Sequence, residues 1–393
     1  MTSAYVESQD RANPKQVLKL QPANPEALNA IADRLLTTRL QALQRNPSER
    51  PAATGVSELA MRSLRSRELN PVAIRLLAFD AMLEGDMARA RTLAQVTLRL
   101  TRREPLIYLV GIQDAAQRND YAAIIHNYDR TFTVAAVSRN VLVPSLVTAL
   151  SDAAFRRAFA PYVKRNPGWM GAFLRYAALN TGDPASLADL LIRAGGMPPN
   201  EEAGETASVL AARLFEARQF TALRRFIPPA FVRAGVWRRT DFSDPLADGR
   251  YAPATWQLLS SGDVDAGWRG DGVARRLSLA TSPGEIPHLV ARKLVTLPPA
   301  SYRLRYRFAD IGAQDDSAQA YWSIGCLRDG AAQATPLWSG APLSTVRDRP
   351  TAAQIAIPAG CAMQELTLTV VGGNDRQGLS LTADPLSFEK AKQ

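Results

Sequence analysis

Apolar residues change their spacing once along this chain, near Pro228, and that change decides which folds are open to it. Upstream they recur every three to four residues in runs divided by capping and turn residues, the pattern of short helices with one buried face. Downstream they alternate with polar residues at period two, the pattern of half-buried strands. A chain of 393 residues is too long for one ordinary domain. The expected fold is therefore an α-helical hairpin solenoid over residues 1–238, followed by an antiparallel β-sandwich of jelly-roll type over residues 239–393.

In the upstream part Asn-Pro occurs at Asn13-Pro14, Asn24-Pro25, Asn46-Pro47, Asn70-Pro71 and Asn166-Pro167. An Asn side chain accepts a hydrogen bond from an orphan N–H at a helix start, and Pro fits the first helical position, where its missing N–H costs nothing. After Pro71, Val72, Leu76, Phe79 and Leu83 share a helix face, with Ala73, Ala78 and Ala81 letting neighbours come close. A turn, Glu84-Gly85-Asp86, opens the next helix, which lines up Ala90, Ala94 and Leu98 and carries Arg89, Arg91 and Arg99 on its outer side. The same kind of turn returns 34 residues later at Arg118-Asn119-Asp120, with echoes at Gly182-Asp183 and Arg218-Gln219.

A helix–turn–helix period of 34 residues resembles the tetratricopeptide repeat over about residues 13–227, although most consensus Trp, Gly and Tyr positions are absent. The resemblance implies stacked helix pairs sharing one core and a curved surface for partner proteins or polymers. A rigid spacer for the second domain is the equally weighted alternative.

From Arg238 to Pro253 the chain is rich in Asp, Pro, Gly and Ser, and helical periodicity stops. Strands are expected at 254–259, 276–280, 288–297, 302–309, 320–327, 354–357, 365–371, 379–381 and 386–388. In the clearest of them Tyr302, Leu304, Tyr306 and Phe308 face a core, while Arg303, Arg305 and Arg307 face outward as a solvated surface or an anion-binding stripe. Trp237 is expected in the core or between the two parts.

This half is similar to carbohydrate-binding jelly-roll modules of the galactose-binding-like type over about residues 245–390. The likeness lies in Thr255–Leu259, the turn and strand at Leu297–Leu304, Tyr321–Cys326 and Ile357–Cys361. Such modules stack sugar rings on aromatic faces, with polar side chains bonding the hydroxyls. The resemblance points to Trp268 with Arg269, in the Gly-rich stretch 263–271, and to Trp338, both read as loop residues, together with Arg303, Arg305 and Arg307; partial burial under a loop is the favoured alternative for each tryptophan taken singly. Trp256 and Trp322 are expected in the core. Asp263, Asp265 and Asp271 are read as turn carboxylates before a Ca²⁺ site, since their spacing is not that of an EF-hand.

The net charge is +10, of which +9 lies in the first 235 residues. This favours an anionic partner for the helical half, or reflects only Arg-rich helix surfaces. Cys326 and Cys361 each lie in or beside a strand, so they form a disulfide or stay as buried thiols. A disulfide implies an oxidising compartment, here the periplasm. Met1–Asn13 has no apolar leader core, and no run reaches a membrane span. A membrane link is expected only through an anchor preceding this sequence.

Catalytic signatures are sparse. Two histidines, His126 and His288, exclude His-rich metal sites, and no nucleophile elbow, P-loop or dinucleotide fingerprint occurs. His126-Asn127-Tyr128 with Arg130 is the residue set a uronate polysaccharide lyase uses, but consecutive residues of one helix point apart. Scarce Lys and no basic–aromatic platform argue against nucleic acid. The expectation is a non-enzymatic protein without cofactor that binds polysaccharide, acidic or neutral, through the sandwich and a protein or polymer through the helical array. It resembles accessory proteins of bacterial exopolysaccharide assembly or export. A pure protein–protein scaffold and a uronate lyase are the alternatives.

Overall fold

The computed structural model describes residues 12–46, 55–135, 139–242, 250–312 and 316–391. Pro47 and the 243–249 part of the Asp/Pro/Gly-rich stretch lie outside the described residues. The chain forms two compact units, Met1–Phe159 and Ala160–Gln393. The change from helix to strand falls inside the second unit, between Arg233 and Gln257.

The first unit is helical: α1 (Pro14–Leu20), α2 (Pro25–Arg45), α3 (Val56–Ser66), α4 (Pro71–Glu84), α5 (Met87–Leu100), α6 (Ile107–Gln117), α7 (Tyr121–Val134), α8 (Arg139–Thr148) and the start of α9 (Ala153–Arg165). Sequence neighbours pack as hairpins, and their starts are set by local chemistry. Asn24 Oδ1 accepts from Ala27 N at 2.9 Å, and Asn70 Oδ1 accepts from Val72 N and Ala73 N. Asn13 heads α1 without a side-chain cap bond, and Asn46 is the residue that ends α2. Asn166 likewise closes α9, at φ +52°, a left-handed conformation that Asn tolerates better than most residues.

The recurring turn is the same object each time. Gly85 and Asn119 both have positive φ, Asp86 N donates to Ala81 O and Asp120 N to Ala115 O at 2.9 Å, and each Asp then caps the next helix. Arg218 and Gln219 repeat the backbone part, Gln219 N donating to Leu214 O at 2.9 Å. The turn at Asp183 lacks the left-handed residue and rests on side-chain bonds from Ser186 Oγ and Gln219 Nε2.

Helix α4 departs from the one-sided pattern. Every residue from Ala73 to Ala81 is buried, because α2, α3, α5 and α6 pack around it. Its two buried charges are matched: Asp80 accepts from Arg39 Nη1 at 2.7 Å and from Ser57, and Arg75 bonds Asp33 at 2.8 Å and faces Glu104.

The second unit continues with α10 (Met170–Asn180), α11 (Pro184–Ala194), α12 (Ala203–Glu216), α13 (Phe220–Phe226) and α14 (Pro229–Arg233), whose apolar faces bury Phe173, Leu187, Leu190, Leu210 and Leu223. Then come β1 (Gln257–Leu258), β2 (Val264–Arg269), β3 (Arg276–Thr281), β4 (His288–Val295), β5 (Ala300–Tyr306), β6 (Phe308–Ala309), β7 (Gln319–Leu327) and β8 (Thr335–Ser339). A short helix, α15 (Leu343–Val346), precedes β9 (Thr351–Ile357), β10 (Met363–Val371), β11 (Leu379–Ala383) and β12 (Ser387–Lys390).

Among the described residues the named strands pair antiparallel, in sheets of order β1-β4-β10-β7-β8, β2-β3-β11-β6 and β12-β5-β9. The fold is thus an N-terminal helical region followed by an antiparallel β-sandwich. Its core gathers Trp256, Leu279, Val290, Leu304, Phe308, Trp322, Ile324, Leu366, Leu368 and Leu381, with Trp322 fully buried. Trp237 is buried too, its carbonyl accepting from Thr296 N at 2.7 Å.

Within this unit the helices are tied to the sandwich. Asp329, in the β7–β8 turn, accepts from Thr221 N and Thr221 Oγ1, and Gly330 N donates to Arg218 O at 3.0 Å. Cys326 lies one residue before the end of β7 and Cys361 precedes β10; their sulfurs are bonded, with Cα atoms 5.6 Å apart.

Candidate functional site

Two expected ring-stacking residues are placed differently from the sequence reading. Trp268 lies on strand β2, not in a loop, and Trp338 lies on strand β8. In β2 the Gly and Asp residues that read as a loop are its exposed face: Asp265, Gly267 and Arg269 point outward, while Val264, Ala266 and Trp268 point in. Trp268 is half-buried against Phe242, ring centroids 5.0 Å apart. Strand β8 is the edge of its sheet, where Pro336 leaves no ladder bond unmade. Trp338 sits opposite Ile324, half-buried, with its ring 5.8 Å from that of Tyr306. The two tryptophans stand on edge strands of different sheets, and Arg269 projects from the opposite face to Trp268.

The expected arginine stripe is a face of the β12-β5-β9 sheet. Arg303 and Arg305 are exposed on it beside Ala352, Gln354 and Ala356 of β9, with Tyr302, Leu304 and Tyr306 buried behind. Arg305 pairs with Glu389 at 3.1 Å, both half-exposed, which uses part of its charge. Arg307 lies past the strand end, half-buried, with its Nε bonded to nothing among the described residues. Asp263, Asp265 and Asp271 are exposed, and no three His, Cys, Asp or Glu among the described residues are grouped to hold a metal ion.

A different surface gathers polar groups beside an aromatic ring: the outer face of the five-stranded sheet. Strand register lines up Gln257, Arg292, Thr367, Ser323 and Ser339, one from each of β1, β4, β10, β7 and β8. Directly paired residues of antiparallel strands point the same way, so these five polar side chains form a row across the sheet. Thr367 and Ser323 hydroxyls bond each other at 2.6 Å. The next row holds Tyr321 with Thr369 and Leu289, so an aromatic ring stands beside the hydroxyls.

One end of this face is charged and walled. Arg292 lies 5.0 Å over the ring of Phe215 from α12, and Arg218 lies 5.6 Å from the same ring. Glu365 of β10 is 3.8 Å from Arg292. At that separation the attraction is too weak to offset burial. Loss of water pushes the Glu365 carboxyl up against the pull of Arg292 and Arg218, and the same loss pushes Arg292 down. A carboxyl and a guanidinium held in this loose way retain hydrogen-bonding capacity for a ligand.

The sequence did hold part of this signal. In Tyr321–Cys326 the alternation puts Trp322, Ile324 and Cys326 inside and Tyr321 and Ser323 outside, so the tyrosine rather than the larger tryptophan is the surface ring. The row itself joins positions up to 110 residues apart, Gln257 and Thr367, and exists only through strand register.

The lyase-like quartet of the first unit divides. His126 and Arg130 line one cleft, Tyr128 is buried, and Asn127 turns toward Gly111, its amide donating to Ala123 O at 2.8 Å. Among the described residues no helix is long and apolar enough to cross a membrane.

No family model matches the chain, and no curated protein matches it. Solved structures similar to it include a carbohydrate-binding module from the β-sandwich superfamily described for its promiscuous specificity, at TM-score 0.28 and 12% identity. That match covers 39% of this chain and 61% of the module, so the chain spans about three fifths of its length. The CBM22-1 xylan-binding domain from Paenibacillus barcinonensis Xyn10C matches at TM-score 0.24 and 12% identity, over 35% of this chain and 87% of the domain. The enzymatically active domain of tailspike protein 4 from Bacteriophage CBA120 matches at TM-score 0.24 and 11% identity, covering 35% of this chain and 19% of that one.

Proposed function

We propose that this protein binds polysaccharide, without chemically altering it, on the outer face of the five-stranded sheet. The observation that carries the reading is the polar row Gln257, Arg292, Thr367, Ser323, Ser339 beside the ring of Tyr321. A pyranose offers an apolar C–H face to an aromatic ring and hydroxyls at its rim, and this surface offers both complements side by side. The helical array is read as tetratricopeptide-like, its repeated turns presenting a surface to a protein partner. The Cys326–Cys361 bond fits an oxidising compartment, and the periplasm is the reading we adopt, with a role in exopolysaccharide assembly or export.

Affinity electrophoresis of the full chain through gels containing neutral and acidic polysaccharides tests this. Retardation by at least one polymer is expected. Tyr321→Ala should weaken it about tenfold, or ~1.4 kcal/mol, whereas Trp268→Ala and Trp338→Ala should not exceed a few-fold. Free migration of the unaltered protein in every gel would overturn the function. Retention lost in Arg303→Ala or Trp268→Ala but kept in Tyr321→Ala would move the site to another face.

A further inference from the structure

A cleft of about 420 Å³ opens in the first unit between α5, the start of α6 and α7, within the ~300–1,000 Å³ range of small-ligand sites. Arg99 of α5, Arg102 just after it and Arg130 of α7 project into it, with His126 one turn before Arg130 on the same face. Leu98 and the buried ring of Tyr108 form its apolar floor, and the Tyr108 hydroxyl donates to Arg102 O at 3.3 Å, which fixes the segment carrying Arg102. Close packing of α6 and α7 sets the far wall. A Cβ at Gly111 would come within 2.7 Å of the Asn127 side-chain amide, so glycine here lets that amide lie against α6 where α7 packs on it.

Five guanidiniums of this unit are matched: Arg39 with Asp80, Arg67 with Glu26, Arg75 with Asp33 and Glu104, and Arg91 and Arg118 with Asp114. Exposed arginines such as Arg65, Arg89 and Arg103 are not, but they stand apart, whereas three unmatched guanidiniums line this one cleft. No carboxylate lines the cleft, and Arg99, Arg102 and Arg130 make no ion pair among the described residues. The three guanidiniums are exposed, so water screens their mutual repulsion in part, and an anion bound between them would lower it further. A guanidinium fork accepts a carboxylate through two parallel N–H···O bonds.

We infer that this cleft is a second binding site, selective for a carboxylate-bearing sugar of a polyuronate chain. Arg99, Arg102 and Arg130 take the carboxylate, His126 and Gln95 bond ring hydroxyls, and Leu98 with Tyr108 receives the C–H face. An acidic peptide shares the carboxylate but has no hydroxyl-ringed apolar face for this floor. A single aromatic side chain gives no stacking ladder for nucleic-acid bases. The inference shares with the proposed function only the premise of a sugar ligand, and it uses none of the sandwich residues.

The test is isothermal titration of the full chain with polygalacturonate, dextran and poly-L-glutamate at low and high salt. Polygalacturonate binding should weaken with salt and fall at least tenfold in R99A/R130A, whose exposed positions leave the fold intact by far-UV circular dichroism. Arg89→Ala, on α5 outside the cleft, and Tyr321→Ala, on the sandwich, should leave it unchanged. The charge-conserving pair R99K/R130K should bind between the two, because lysine keeps the charge and loses the fork. Absence of polygalacturonate binding, or equal binding by R99A/R130A, overturns the site. Poly-L-glutamate binding as tightly as polygalacturonate overturns its sugar selectivity in favour of an acidic peptide. Loss of polygalacturonate binding in Tyr321→Ala alone would assign that ligand to the sandwich and overturn the cleft.

Discussion

Replacing Asp80 by alanine tests whether α4 is held by a buried charge pair or only by its apolar contacts. The Arg39 and Asp80 side chains are each 6% exposed, so solvent screens neither, and the carboxylate also accepts from Ser57. Removing it leaves a guanidinium buried with one fewer partner, and Arg39 Nε already has none. Breaking a buried pair in this way costs about 3–5 kcal/mol, between two and three and a half decades in the folding equilibrium. For a unit of this size that is a Tm drop of roughly 6–20 °C. The assay is the thermal transition at 222 nm, with hydrogen exchange along α4 to locate the loss. Two controls separate the explanations. Arg39→Met with Asp80→Leu removes both charges and should recover most of the stability or exceed the original by ~1–4 kcal/mol. Glu202→Ala breaks the exposed Arg175–Glu202 pair, 47% exposed on each side, and should cost no more than ~1 kcal/mol. If Asp80→Ala costs as little as Glu202→Ala, or if the double variant is as unstable as the single one, the pair is not what holds α4.

Two further outcomes follow from the second unit. Burial raises the Glu365 carboxyl above its unfolded value, so its favourable contribution is complete below about pH 4.3 and is lost as pH rises through the folded pKa. Glu365→Gln, which carries no charge at any pH, should therefore gain stability relative to the unaltered protein between pH 4 and 7 in urea titrations; a constant difference would show the carboxyl is not strained by burial. Serine at both Cys326 and Cys361, which are 35 residues apart, should lower stability by about 4 kcal/mol, the chain-entropy value for such a loop, and an unchanged urea midpoint would mean the bond does not form.

The helical hairpins were legible because what ends one helix and starts the next is local. A left-handed residue followed by an Asp cap, at Gly85-Asp86 and Asn119-Asp120, specifies the turn within a few residues, whatever the distant chain does. Asn-Pro was a weaker guide, because Asn serves both ends: it caps the starts of α2 and α4 at Asn24 and Asn70 but closes α9 at Asn166. The central position of α4 was not legible. The partners of its Arg75 and Asp80, namely Asp33, Arg39 and Ser57, lie at least 23 residues upstream on other helices, out of reach of a local pattern.

In the sandwich, strands with large inward residues were plain, and strands with small ones were not. β5 announces itself by Tyr302, Leu304 and Tyr306, whereas β2 has only Val264 and Ala266 before Trp268, and its outward Asp and Gly resemble a turn. That one ambiguity turned an inward tryptophan into an apparent surface ring. The same physics explains why Tyr321 was passed over: on an alternating strand the more apolar ring, Trp322, takes the core and leaves the more polar one outside. A binding face on a sheet is assembled perpendicular to the chain, one side chain from each strand. Alternation along a strand can say which residues face out, but only strand order can say which of them stand together. That is why Arg303 and Arg305, two residues apart, were visible as a stripe, while Gln257, Arg292, Thr367, Ser323 and Ser339 became a row only through pairing. The same holds for the cleft of the first unit, where His126 and Arg130 are neighbours on one helix but acquire Arg99 and Arg102 only because α5 and α7 pack on either side of α6.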